Sequence, residues 1–307
     1  MTGQPQPGLT GEAGLAGQPP GGLTGPRRAA ASGRSALRRL PSPGRCILIV
    51  IGVAVAVAAV YPHAFTSLNP NTIDPNAILA GPSARHLLGT DEAGGDIYTR
   101  IIYGTRLDAE ISLFSVAIAY LIGVPLGILA GRRRGAISEI LTSLTGGILA
   151  FPVVLLALLV VGSFGASAGT LIVIFGLAFF PQVTLLARAQ TMAIYGRGYI
   201  LSARAAGLTE RRIVVAHVLH NIAGPLLVLV PQLMATAILA EAGLSYLGVG
   251  VQPPAITWGS LLLDSKNYYH ADPLYAISAG LVITIAAVLL LITGDMISES
   301  MDPLRRR

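Results

Sequence analysis

Six apolar runs, separated by polar stretches, organise the chain. They cover residues 46–61, 111–130, 137–162, 169–187, 222–240 and 274–294. A helix needs about 20 residues, each rising about 1.5 Å, to cross the hydrocarbon core of a bilayer. The first run is short for this and needs flanking residues to complete it. No run alternates apolar and polar positions as a barrel strand does, and lipid offers no partners to unpaired backbone groups. The pattern therefore predicts an all-α polytopic membrane protein with six transmembrane helices. Pro152 and Pro181 fall inside the third and fourth runs and are expected to kink them.

Composition supports lipid as the solvent. Of the 307 residues, 53% are hydrophobic and 12% charged, where soluble domains carry about 25% charged residues. The net charge is +6. The basic residues flank the apolar runs rather than forming one stripe, which argues against nucleic-acid binding.

Their placement predicts an orientation. With the N-terminus inside, Arg27, Arg28, Arg34, Arg38, Arg39, Arg45, Arg132 to Arg134, Arg188, Arg197, Arg204, Arg211, Arg212 and Arg305 to Arg307 all lie inside. Only Arg85, Arg100, Arg106 and Lys266 fall outside. Both termini are then expected in the cytoplasm, with residues 62–110 external, a five-helix core over 111–296 and a tail over 297–307.

Residues 1–45, rich in Gly, Pro, Ala and Ser, read as a disordered cytoplasmic tail. That stretch is too long for the basic region of a signal peptide, so 46–61 is read as an uncleaved first span. Cys46 is the only cysteine. No internal disulfide can form, and its position reads as a membrane-interface thiol.

Few charges enter the runs. Glu139 and Asp295 sit near inner ends and Glu241 near an outer end, where each can snorkel or face the interior. No relay of carboxylates or histidines threads the helices, which weighs against a proton-coupled transporter. No GxxxxGK[ST] phosphate loop occurs, so any ATP must be bound by another chain.

The loop 190–221, between the fourth and fifth runs, ends in GYILSARAAGLTERRIVVAHVLHN. Residues 200–206 read as a short helix broken at Gly207. Thr209 is expected to cap a second helix, with Arg212 near its start and Ile213, Val214 and Leu219 on its apolar faces. Ser202, Ala203, Ala205 and Ala206 leave a smooth knob suited to a groove on another protein. His217 and His220 are spaced i, i+3, with no third metal ligand close in sequence.

This loop resembles the coupling motif, often called the EAA loop, of ATP-binding-cassette (ABC) importer permeases. The triplet positions read Leu201-Ser202-Ala203, Gly207 stands at the motif glycine, Leu219-His220 replaces Leu-Pro, and Asn221 follows. The motif's glutamate and proline are missing. Two further stretches are more specific. HLLGTDEAGGDIYTRIIYGTR carries Gly89, Thr90, Asp91, Gly94, Asp96, Arg100, Tyr103 and Gly104. EAGLSYLGVGVQPPAITWGSL carries Glu241, Gln252, Pro253, Pro254, Trp258 and Gly259. Both are similar to stretches of the dipeptide, oligopeptide and nickel branch, as is the ending GDMISESMDPLRRR. The resemblance covers about residues 46–307.

The resemblance implies the type I ABC importer permease fold and a C-type permease subunit of the bacterial plasma membrane. It further implies a homologous B-type permease, two ATPase subunits or one fused pair, and an extracytoplasmic substrate-binding protein. ATP and Mg would sit on the ATPases, with no cofactor in this chain. Dipeptides or oligopeptides are the expected cargo, with nickel the nearest alternative. A secondary transporter and an ATP-independent channel are readings of a different class.

In this picture Arg204, Arg211 and Arg212 either pair with acidic residues of an ATPase groove or merely hold the loop inside. Asp91, Glu92 and Asp96 can be read as hard oxygen donors for a metal. They can equally shape turns, with Asp96 or Thr90 capping a helix that runs through Tyr103. Asp264 and Asp272 make the outer loops acidic, and those loops could receive the binding protein.

Overall fold

The apolar runs fold as helices in the computed structural model, which describes residues 42–132 and 135–301. Residues 1–41 of the predicted tail 1–45, Arg133, Arg134 and the final stretch 302–307 lie outside the described residues, while residues 42–45 of that tail are helical. Among those described no strand forms; a single isolated bridge pairs Thr90 with Asp96. Helix α1 covers Ser42–Val60. Among the described residues four helices are long and apolar enough to cross a membrane: α2, Ile97–Arg132; α5, Ala168–Tyr195; α7, Glu210–Tyr246; and α9, Pro273–Ser300. Between α2 and α5 lie α3, Ala136–Leu149, and α4, Val153–Phe164. Two shorter α-helices are α6 at Gly198–Ala205 and α8 at Trp258–Ser265.

Two expectations change. The third run is not one kinked span: α3 and α4 meet at an 80° bend. Pro152 stands at the N-cap of α4 with ψ 129°. A proline has no N–H to give the preceding turn and pushes the residue before it, here Phe151, out of helical conformation. Counted as one broken span, the pair brings the apolar spans among the described residues to five, beside α1, an apolar helix of 19 residues at the place of the first run. Pro181, by contrast, is buried inside the unbroken α5.

The second change is at α2, which begins at Ile97 rather than near 111. Ile97, Ile101, Gly104, Asp108, Ile111 and Ser115 are buried at three- and four-residue steps, so one helical face continues past the apolar run. At 36 residues, α2 is about 54 Å long, well beyond a hydrocarbon core of about 30 Å.

Helices α2 and α5 pack along a seam of small residues. A Cβ on Gly123 would lie 2.7 Å from Val183 Cβ, one on Gly127 would lie 2.5 Å from Ala187 Cβ and one on Gly131 would lie 2.6 Å from Thr191 Cβ. Gly176 of α5 receives Ile118 of α2 in the same way, at 2.6 Å. Residue numbers rise together along the seam, so α2 and α5 run parallel, and α3 with α4 must carry the chain back between them. Met301 reaches Gly224 and Pro231 reaches Gly294, so α7 and α9 are antiparallel. The tyrosine hydroxyl of Tyr120 donates to the Leu226 carbonyl and ties α2 to α7.

Phe175 and Phe179 stack at 5.9 Å in the core beside Leu171, Val183, Ile222 and Leu233. Outside, Leu113, Phe114, Leu121, Leu155, Leu159 and Phe164 are exposed. So much bare apolar surface belongs against lipid or another apolar helix.

The seam can be tested directly. Gly127→Leu is expected to destabilise the fold by about 1–3 kcal/mol through overpacking. Gly146→Leu, at an exposed position where a Cβ meets nothing within 4 Å, should change little. Thermal unfolding of the two variants in detergent reads the difference.

Candidate functional site

One end of the bundle gathers the C-terminal ends of α2, α5 and α9 with the N-terminal end of α7, and α6 lies there. Helix α6 closes in a left-handed turn. Gly207 has φ +82°; its N–H bonds the Arg204 carbonyl at 2.9 Å and the Leu208 N–H bonds the Ala203 carbonyl at 3.1 Å. This is a Schellman cap, which favours glycine because a Cβ resists that conformation. Ile200 fixes the helix inward, at 1% exposure, while Leu201, Ser202 and Ala206 face outward.

The expected second short helix is the start of α7. Thr209 occupies the N-cap position, but its side chain makes no capping hydrogen bond. The chain then runs through a π-helical stretch, Val214–Leu219, into the long span. Ile213, Val218, Ile222 and Leu226 are all buried. The five-residue step from Ile213 to Val218 is what a π turn accommodates, keeping both on the inner face. The loop is thus one short helix, a glycine turn and the extended foot of α7.

Arg204 is exposed yet already has partners within the chain. Its Nε donates to Glu210 Oε1 at 2.7 Å, and its guanidinium sits 5.2 Å from the Tyr195 ring centroid. Glu210 Oε2 accepts from the Tyr195 hydroxyl at 3.1 Å and lies 3.9 Å from Arg132 Nε. Arg211, Arg212, His220 and Asn221 are exposed. His217 packs edge-on against Tyr199, with ring centroids 6.0 Å apart, and its carbonyl accepts from Asn221 Nδ2 at 2.6 Å.

The opposite end holds the other two stretches. Asp91 is fully buried; its Oδ1 accepts from the N–H groups of Ala93 at 2.9 Å and Gly95 at 2.7 Å, and its Oδ2 pairs with Arg100. Of the two capping candidates, Asp96 caps α2, accepting from Thr99 N–H at 2.8 Å. Its second oxygen meets His86 Nδ1 at 2.9 Å. Thr90 instead ties the preceding loop, accepting from Ala80 N–H at 2.9 Å and donating to the Ala77 carbonyl. Gly89 and Gly94 take positive φ within this turn. Tyr103 Oη lies 3.0 Å from His63 Nδ1. The oxygens of Asp91 and Asp96 are therefore engaged in shaping turns. Burial pushes the Glu92 and Asp264 carboxyls above the usual range, reinforced in both cases by Asp91, while Arg100 opposes the rise.

Trp258 joins the two stretches. Its backbone N–H donates to Asp108 Oδ2 and its indole N–H to the Ile101 carbonyl, each at 2.9 Å. Gly104 lets the indole close on α2, since a Cβ there would lie 3.2 Å from Trp258 Cδ1. Gly259 does the same against α7, 2.7 Å from Ala242 Cα. Thr257 and Ser260 form a capping box at the start of α8.

Glu241 does not snorkel. It is 1% exposed, accepts from Ser245 Oγ at 2.7 Å and faces the equally buried Asp108. Asp108 escaped the sequence reading because it precedes the apolar run, although the spacing of 101, 104, 108 and 111 carries the signal. Asp108 and Glu241 thus form a buried pair of acids between α2 and α7 that the apolar runs did not announce. Gln252, Pro253 and Pro254 are exposed and, with Arg100 and Asp264, line a cavity of about 120 Å³. The Pro253–Pro254 bond is cis. Asp272 is 7% exposed and caps α9, accepting from Leu274 N–H at 3.1 Å, so it offers no open acidic surface to a partner.

Known proteins are similar to this chain in sequence and in fold. The chain is 31% identical over 271 residues to the dipeptide transport system permease protein DppC of Alkalihalophilus pseudofirmus, covering 88% of this chain and 89% of the relative. It is 30% identical to the glutathione transport system permease protein GsiD of Pectobacterium atrosepticum, covering 88% and 89%. It is 34% identical over 231 residues to the di/tripeptide transport system permease protein DppC of Pseudomonas aeruginosa, covering 75% and 76%. Among solved structures, a chain of the inward-facing MetNI methionine ABC transporter superposes with a TM-score of 0.53 at 16% identity, covering 67% of this chain and 96% of that one. That likeness shows the importer-permease fold. Residues 123–307 match the model of one family over more than half the chain. The chain is a multi-pass inner-membrane protein and belongs to the family of binding-protein-dependent transport system inner membrane components.

Proposed function

We propose that the chain is the C-type permease subunit of an ATP-driven peptide importer. It forms half of a translocation pathway with a homologous B-type permease and catalyses no reaction itself. Two ATPase subunits, or one fused pair, bind ATP and Mg and dock on the arginine-rich end, which faces the cytoplasm. An extracytoplasmic binding protein delivers dipeptides or short peptides at the Trp258 end.

The observation that carries this reading is the α6–Gly207–α7 arrangement. A short helix with outward-facing Leu201 and small neighbours is joined by one turn to a span that crosses the bundle. Displacement of α6 is thereby passed to α7 as a rigid-body shift between packed states. Leu201, Ser202, Ala203, Ala206, Arg211, Arg212, His217 and Asn221 form or border the docking surface. The names of the relatives, which concern dipeptides, di/tripeptides and glutathione, support peptides as the cargo class.

Three outcomes are expected. Gly207→Pro cannot keep φ +82°, because proline is held near −65°. Peptide uptake should be lost while the complex still hydrolyses ATP; unchanged uptake would remove Gly207 from the coupling path. Affinity-purified chain should carry a second permease and ATPase subunits, whereas a transporting monomer overturns the assembly. Thr209→Cys, in a Cys46→Ser background, should react with an impermeant maleimide only from the cytoplasmic side; reaction from outside reverses the topology.

A further inference from the structure

Helix α6 is held to the bundle in two ways. One is apolar, through buried Ile200 and half-buried Ala203 and Leu208. Apolar burial is non-directional, so such a contact resists separation but allows sliding. The other is polar and centres on Glu210, which meets Arg204 at 2.7 Å, Tyr195 at 3.1 Å and Arg132 at 3.9 Å.

Glu210 and these three partners come from four elements. Arg132 is the last residue of α2 and Tyr195 the last of α5. Arg204 lies in the last turn of α6, and Glu210 is the first residue of α7. An acid at a helix start and a base at a helix end are each favoured by the helix dipoles. Glu210 is also the only acid between residues 190 and 221, among Arg197, Arg204, Arg211 and Arg212. A charge-assisted hydrogen bond fixes direction where an apolar contact does not.

We propose that Glu210 is the positioning residue through which α6 moves α2, α5 and α7 together, the strut of the coupling step. This rests on the importer reading given under Proposed function. The strut is internal to the chain: it holds the docking helix to the spans. Removing it leaves α6 seated on Ile200 but free to slip when the ATPase moves.

Two measurements test the strut in Glu210→Ala, with Glu210→Asp as the conservative variant. In the assembled complex in vesicles, dipeptide taken up per ATP hydrolysed is expected to fall at least about fivefold in Glu210→Ala, at the lower end of typical coupling effects. ATP hydrolysis should persist, and Glu210→Asp should keep most of the uptake. In the full chain in detergent, amide hydrogen exchange should speed up over 198–208 and stay unchanged over 222–240.

Unchanged exchange over 198–208, or an unchanged uptake-to-hydrolysis ratio, overturns the strut. So does faster exchange throughout α2 and α5, which marks a general stability residue. Should the unaltered complex take up no dipeptide, the importer reading fails, and the exchange measurement alone upholds or overturns the attachment.

Discussion

The close approach of α2 and α5 governs the rest of the structure. Three glycines at four-residue spacing, Gly123, Gly127 and Gly131, remove the side chains that would hold the two helices apart. In lipid no hydrophobic force distinguishes one apolar helix face from another, so association depends on close packing. Dispersion between atoms in contact falls steeply with a gap of even 1 Å. The seam also sets direction. Because α2 and α5 run parallel, the segment between them must return across the bundle, and the 80° break at Pro152 shapes that return.

The two ends of this frame are built differently. At the arginine-rich end the fastenings are exposed or half-exposed, and charge holds them: Arg204, Glu210, Tyr195 and Arg132. At the Trp258 end they are buried. The indole and backbone N–H groups of Trp258 dock on Ile101 and Asp108, and Asp91 is wrapped by backbone N–H groups and Arg100. A buried carboxylate stripped of these donors would face a large desolvation cost. One end is therefore suited to moving with a partner and the other to keeping its shape.

The resemblance-bearing stretches divide along the same line. Most residues of the outer stretches have structural work. Asp96 caps a helix, Thr90 ties a loop, and Gly104 and Gly259 make room for Trp258 and α7. In the loop, by contrast, Leu201, Ser202, Ala206, Arg211 and Arg212 are exposed. An exposed loop positioned by a packed scaffold suits a docking surface.

The helical class, the approximate spans and the glycine turn at 207 were legible in the sequence, because each follows from local physics. Runs of about 20 apolar residues demand helices in lipid, and a positive φ favours glycine. What the sequence left open were features set by partners distant along the chain. Asp108 looks like a polar residue before a span until Trp258, 150 positions away, donates to it. Glu241 looks free to snorkel until α8 and α2 close over it. Pro152 and Pro181 look alike, yet one breaks a helix and the other lies buried inside one. Arg204 looks ready for an outside partner until the Gly207 turn swings Glu210 beneath it. Local chemistry determined which segments cross the bilayer; only the packed tertiary structure decided which polar groups found one another, because that depends on which helix faces come together.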